Sequence, residues 1–344
     1  MKAGRYHLTA AQAAQTLGIT RATLYAYASR GQLRSEPVPG RPKERRYYRE
    51  DLERLLERKE VRRDPARAAA RGSALSGRRL ARLRTCAKDT FTLLQLALPV
   101  GAASDLASYD LRPAAVRQTG ARIVRLLAAA IAPREGDRPV HRALQTAWAP
   151  KRAEVAEVIR TALVLCADHE LNVSSFVARC AASAGASPYD VVSAAMATLK
   201  GYKHGGASER VLALLAEART PKSARAAVAS RLRAGETLSG FGHPLYAAGD
   251  PRASALMRLA EASGNEAEGL AVRHLAKAGS ELLQDLPNLD FGLAAVTRTY
   301  RLPDYAPALM FALGRSTGWI AHAIEQYESG QLIRPRARYT GRVP

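Results

Sequence analysis

Cysteine is scarce: Cys86, Cys166 and Cys180 are the only three in 344 residues. Their odd number and irregular spacing exclude a disulfide framework and a zinc-type cluster, and they point to a reducing compartment. Aromatic residues reach only 6%, which disfavours a sheet-rich core. Acidic residues are outnumbered, with 31 Asp+Glu against 52 Lys+Arg and a net charge of +21. Such an excess attracts polyanions, nucleic acid above all. A compositional bias toward Arg and Ala would give the same total, so the location of the charge matters more. Long apolar runs are also missing. The longest tract, "FTLLQLALPVGAASDLA", is interrupted by Gln95 and Pro99 and does not read as a membrane span. The start, "MKAGRYHLTAAQ", lacks the apolar core of a signal peptide. No P-loop, internal repeat or metal-ligand cluster is found. The expectations are a cytoplasmic protein with no membrane partner and no metal.

Ala and Leu dominate what is present, a composition that favours helices. In "LTAAQAAQTLGITRATLYAYASRGQLR", Thr9 and Gln12 form a capping box, and Ala10, Ala13, Ala14 and Leu17 make an apolar stripe. Gly18 permits a turn, Thr20 caps a second helix and Gly31 ends it. The order predicts a helix-turn-helix. The basic segment that follows leads into "RRYYREDLERLL", and together these stretches resemble the winged helix-turn-helix of MerR and excisionase-like proteins. That resemblance implies a double-stranded DNA partner. Arg21, Thr23 and Tyr25 would face the major groove, and Arg41, Lys43, Arg45 and Arg46 would grip phosphates. A protein-contact module with solvated charges is the plainer alternative. Domain boundaries are expected at 1–62 for this module and 63–80 for an Arg-rich linker, solvated or phosphate-attracting.

From residue 81 to 344 the pattern is all-α, a succession of Ala/Leu-rich helices with apolar residues at three-four spacing. Short polar segments interrupt it. "DHELNVSSF" carries His169 and Asn172, "KHGGASE" carries His204, and "GFGHPLYAAGDPRA" carries His243 and Arg252. "PNLDF" carries Asp290, "ALGRSTGWIAH" carries Arg315, and "RPRARYTG" carries Arg334 and Arg336. Singly, each reads as a helix cap or a solvated group. Together they supply imidazoles, a carboxylate and guanidiniums, a set suited to a small polyanion and to proton abstraction beside a carbonyl.

In order, spacing and flanking residues these segments resemble the citrate synthase family. The resemblance implies multi-helical large and small domains, with a small subdomain at about 205–310, in a homodimer that closes over oxaloacetate. It implies acetyl-CoA as a substrate rather than a cofactor. Asp290 would remove the methyl proton, His204 would stabilise the enolate as a neutral donor, and His243 would polarise the ketone. His169, Arg252 and Arg315 would hold carboxylates, Arg334 would reach in from the partner subunit, and Asn172 would lie nearby as support. Lys203 would favour the neutral form of His204. Pro244 and Ala247 stand where the family commonly carries basic residues that hold coenzyme A phosphates. Two further readings remain: a 2-methylcitrate synthase using propionyl-CoA, and a transcription regulator that senses oxaloacetate, citrate or an acyl-CoA.

Overall fold

The computed structural model describes residues 7–29, 33–52, 77–133, 138–167, 170–202, 204–336 and 340–341. The chain divides into two compact units, Met1–Gly72 and Ser73–Pro344.

The first unit starts with β1 (His7–Thr9) and α1 (Ala10–Leu17). Thr9 and Gln12 close a reciprocal capping box, as their spacing predicts. Gly18 ends α1 in the left-handed conformation at φ 60°, a geometry glycine adopts without a Cβ penalty. Thr20 then accepts the Thr23 N–H at 3.2 Å and starts α2 (Arg21–Ser29). What the basic segment suggests as a loop or ribbon is a β-hairpin, β2 (Ser35–Val38) and β3 (Arg41–Tyr48). Pro39 and Gly40, the latter at φ 77°, supply the Pro-Gly turn chemistry that reverses the chain. The sheet order is β1-β3-β2, antiparallel throughout. Ala13, Leu17, Leu24, Leu33, Tyr47 and Leu52 form the core.

In the second unit α3 (Gly77–Cys86) begins inside the stretch expected as linker, because Leu80 is buried in the main core. Next come α4 (Thr90–Ala102), a 3-10 turn (Leu106–Tyr109), α5 (Pro113–Ile131), α6 (Val140–Trp148) and α7 (Val155–Ala167). Pro99 lies within α4 and does not end it. Burial of Leu93, Leu94, Ala97 and Leu98 before the position, with Gly101 after it, outweighs the lost backbone hydrogen bond. The chain continues with α8 (Val173–Ser183), α9 (Pro188–Leu199), α10 (Ala207–Glu217), α11 (Pro221–Arg233), α12 (Pro251–Glu261), α13 (Glu266–Leu283), α14 (Leu289–Thr299) and α15 (Ala306–Ser329). Among the described residues no strand occurs here, and no helix is long and apolar enough to cross a membrane.

Helix α15 is the axis of this unit. It is buried around most of its circumference and packs on α5, α7, α8 and α9, the pattern of a core helix. Helices α10 to α14 pack chiefly on one another and join the rest where α12 meets α7 and α14 meets α15. A buried ion pair, Arg122 Nε to Asp105 Oδ2 at 2.7 Å, is completed by Thr119 and Tyr189. Its polar atoms are satisfied internally, as a buried pair requires.

Candidate functional site

Beyond α9 the chain doubles back on the helix it has just left. The Gly205 N–H donates to the Leu199 carbonyl at 2.8 Å, and a Cβ on Gly205 would lie 2.4 Å from that same oxygen. Only glycine fits so close an approach, and the turn presents His204. The imidazole meets Phe311 edge to face at 5.8 Å. Its Nε2 lies 3.0 Å from the Ser174 hydroxyl. That hydroxyl also lies 2.9 Å from Asn172 Oδ1 and receives the Trp319 indole N–H at 3.2 Å. Asn172 is the N-cap of α8 and accepts the Ser175 N–H. Burial first, and then the Arg315 charge, push His204 down to about 4, so the ring is neutral at physiological pH. Lys203, expected as the source of that effect, lies outside the described residues.

The other two chemical groups come from segments stapled to each other. Gly242 N–H donates to Leu286 O, Asn288 N–H donates to Gly240 O, and the Asn288 amide donates to Gly242 O, at 2.9 to 3.0 Å. Gly240 and Gly242 adopt φ 91° and 71°, and a Cβ there would strike Val211 and the Asp285 carboxylate. This staple sets His243 beside the start of α14, which carries Asp290. His243 Nδ1 accepts the Leu245 N–H at 3.2 Å, so the neutral ring bears its proton on Nε2. Burial and the Arg252 charge hold His243 below the ordinary imidazole range, partly opposed by Asp250 and Glu170.

Asp290 receives the Ser208 hydroxyl on Oδ1 at 2.5 Å. Burial lifts its proton affinity above the usual carboxylate range, while Ser208, Arg252 and Arg210 pull the other way. The result is a stronger base than an exposed aspartate, held at the head of a helix.

Two guanidiniums are fixed near it. Arg252 is 9% exposed and forks onto Asp250, Nε to Oδ1 at 2.9 Å and Nη2 to Oδ2 at 2.7 Å. Asp250 caps α12 and also accepts the Leu289 N–H that opens α14. Burial alone would raise the Asp250 carboxyl, yet the Arg252 hydrogen bonds and charge, with two backbone N–H groups, hold it below its ordinary range. Arg315 is 1% exposed; its Nε donates to the Cys166 carbonyl at 2.7 Å and its guanidinium lies over Phe311. The backbone at Gly314 approaches α7 so closely that a Cβ would lie 2.6 Å from Leu163 O. The Cys166 thiol is pushed up to about 12 by burial and is unreactive.

Of the residues singled out by motif, His204, Asn172 and Arg315 fall in one local cluster and His243, Asp290 and Arg252 in a second. His169 lies outside the described residues, and Arg334 is exposed in the extended segment after α15. Sequence reasoning missed Ser174, Ser208, Asp250 and Trp319. Asp250 carried a legible signal, since Asp before Pro at a helix start is an N-cap pattern. The arrangement can remove a proton at Asp290, donate hydrogen bonds from neutral imidazoles and hold carboxylates on preset guanidiniums.

In the first unit, α2 leaves Arg21 and Tyr25 exposed. Thr23, expected in the groove, takes part in the helix cap, with its hydroxyl 2.9 Å from that of Thr20. Arg46 donates to Glu36 at 2.7 Å and Arg45 to the Ser35 hydroxyl and carbonyl at 2.8 Å. Arg41 pairs with Glu44 at 3.3 Å, and the Lys43 side chain lies outside the described residues. The hairpin is therefore less freely cationic than its arginine count suggests.

A helical unit with a base, two neutral imidazoles and fixed guanidiniums at converging helix ends defines an acid–base site for a small anion. Residues 44–336 match the citrate synthase C-terminal domain, and residues 8–60 match a helix-turn-helix domain. The chain belongs to the citrate synthase family. Citrate synthase 2 of Bacillus subtilis is 37% identical over 199 residues, 56% of this chain and 52% of that protein. The 2-methylcitrate synthase of Mycobacterium tuberculosis is 34% identical over 193 residues, 54% of this chain and 49% of that one. The chain spans about half the length of the curated relatives it matches. The citrate synthase of Thermoplasma acidophilum, solved with carboxymethyl coenzyme A and oxaloacetate, is 27% identical with a TM-score of 0.62, covering 74% of each chain.

Proposed function

We propose that the protein condenses acetyl-CoA with oxaloacetate to give citrate and coenzyme A, and that its first unit binds double-stranded DNA. The observation that carries the reading is the partly buried Asp290 carboxylate, its proton affinity raised, beside the Arg252 charge that also acts on the neutral His243. Asp290 takes a proton from the acyl methyl group, and the C–H electrons move into the thioester as an enolate. A thioester α-proton is weakly acidic, so the carbonyl oxygen needs a hydrogen-bond donor at that moment. Neutral His204 serves when the Ser174 proton turns toward Nε2, which leaves the other ring nitrogen as the donor. The enolate carbon attacks the oxaloacetate ketone, whose developing alkoxide is held by the His243 Nε2–H and finally takes up the proton left on Asp290. Water then hydrolyses citryl-CoA to citrate and coenzyme A. Arg252 and Arg315 hold the oxaloacetate carboxylates with His169, and Arg334 completes the site from a partner subunit in a homodimer. The relatives' names and the ligands of the Thermoplasma structure support this assignment.

A second reading has its own observation. From Pro244 to Gly249 the loop beside His243 contains no Lys or Arg, and Pro244, Leu245, Ala247 and Ala248 are exposed. A regulator that binds oxaloacetate or citrate without turning over acyl-CoA would have no use for that charge. Propionyl-CoA as the acyl donor differs by one methylene, a small energetic distinction in any pocket. One assay separates the three: purified protein is mixed with oxaloacetate and either acetyl-CoA or propionyl-CoA, and free thiol is followed. Release with acetyl-CoA supports citrate formation, faster release with propionyl-CoA supports 2-methylcitrate, and no release with either overturns both enzymatic readings. A gel shift on the gene's upstream DNA at moderate salt tests the first unit; equal weak binding by wild type and Arg21→Ala overturns it.

A further inference from the structure

Ser208 and Asp290 are 82 positions apart and meet through the 2.5 Å hydrogen bond to Oδ1. Ser208 is 1% exposed, so water does not compete for its proton. It belongs to the first turn of α10 and Asp290 to the first turn of α14. Two helix N-termini, whose dipoles favour negative charge, therefore meet at one carboxylate. Asn288 caps α14 by accepting the Asp290 backbone N–H at 3.1 Å, so it orients the main chain and not the carboxylate. Among the described residues, Ser208 is the only side chain that hydrogen-bonds the Asp290 carboxylate.

We propose that Ser208 is a positioning residue for the base: by fixing Oδ1, it leaves Oδ2 as the oxygen that takes the substrate proton. The inference rests on the citrate-forming reading of the site. A carboxylate free to turn about Cβ–Cγ offers either oxygen in several directions, whereas one pinned at Oδ1 offers a single oxygen along one line. The same hydrogen bond stabilises the ionised form where burial favours the neutral acid. Arg252 and Arg210 act on Asp290 only through their charge, and both are tied elsewhere: Arg252 to Asp250, Arg210 to Ser239 and the Tyr202 carbonyl.

The test compares wild type, Ser208→Ala and Ser208→Cys, the last nearly isosteric but a weaker donor. In thiol-release assays across pH, Ser208→Ala should lose roughly tenfold in rate on the acidic limb, with that limb moved to higher pH. Ser208→Cys should fall between. The Asp290 carboxyl carbon, followed by NMR in aspartate-labelled protein and assigned with Asp290→Asn, should titrate at higher pH in Ser208→Ala. Superimposable limbs, or an unmoved carboxyl titration, would overturn the proposal. If wild type releases no thiol, the citrate-forming reading fails by itself, and the carboxyl titration still decides whether Ser208 sets Asp290.

Discussion

Arg252 is 9% exposed and forked onto a buried aspartate, whereas the Arg41 side chain in the hairpin of the first unit is 71% exposed and pairs with Glu44. The cations of the two units are held in opposite ways. In the second unit three are buried and fixed before any ligand arrives: Arg252 on Asp250, Arg315 on the Cys166 carbonyl, Arg122 on Asp105. Fixed guanidiniums suit a small anion whose oxygens must meet preset positions, since little entropy remains to be lost. In the first unit Arg21, Arg41 and Arg45 are exposed, and on the DNA-binding reading a long polyanion with regularly repeated charge needs no finer arrangement. A net charge of +21 thus conceals two different electrostatic designs.

Four measurements would sharpen or break that comparison. The largest effect is expected at the base. Asp290→Asn should lower thiol release by about 10³-fold with unchanged circular dichroism, and a loss under tenfold would remove Asp290 from the chemistry. Next is Arg252→Gln, which leaves the Asp250 carboxylate buried without its fork. Denaturant unfolding should show a loss of about 3 kcal/mol, and the KM for oxaloacetate should rise at least about tenfold. A stability change within experimental error would mean that Arg252 is not preset.

The third effect concerns His204, whose proton affinity is pushed down to about 4 by burial and Arg315. The unfolded chain, with a histidine near its ordinary value, binds more protons between about 6.5 and 4. Stability is therefore full above that window and falls as the pH drops through it, by up to about 3 kcal/mol. Urea midpoints of wild type should decline more steeply there than those of His204→Gln; parallel declines would contradict the burial. The smallest effect belongs to the hairpin. Arg41→Ala should leave stability within about 0.5 kcal/mol and reduce the salt slope of DNA binding by about one. An unchanged slope would take Arg41 out of phosphate contact.

Local features were legible in the sequence. The Thr9–Gln12 capping box and the Gly18 turn depend on residues a few positions apart, and both form as their spacing predicts. The ordered polar motifs also pointed to six side chains that fall in two local clusters. What escaped notice joins distant positions. Trp319 and Ser174 are 145 apart, Ser208 and Asp290 are 82 apart, and nothing in the pattern around either serine distinguishes it from an ordinary helix-start residue. Pro99 shows that helix propensity weighs one backbone alone: the helix continues past it because its apolar residues are buried. Arg45, Arg46 and Thr23 show another limit: a sequence counts donors without showing which already have partners inside the module.

The staple between residues 240–242 and 286–288 bears on timing as well as placement. It makes His243 and Asp290, the proposed ketone donor and base, parts of one mechanical piece. His204, by contrast, is moored to Ser174 on α8 and Phe311 on α15. A motion between these two anchorages would separate the sets, and on the citrate-forming reading neither would then hold a full complement of reacting groups. Such a site would behave as a coincidence detector. With the sets apart, a thioester would meet Asp290 without His204, the donor proposed for its carbonyl oxygen, and its carbanion would not be formed.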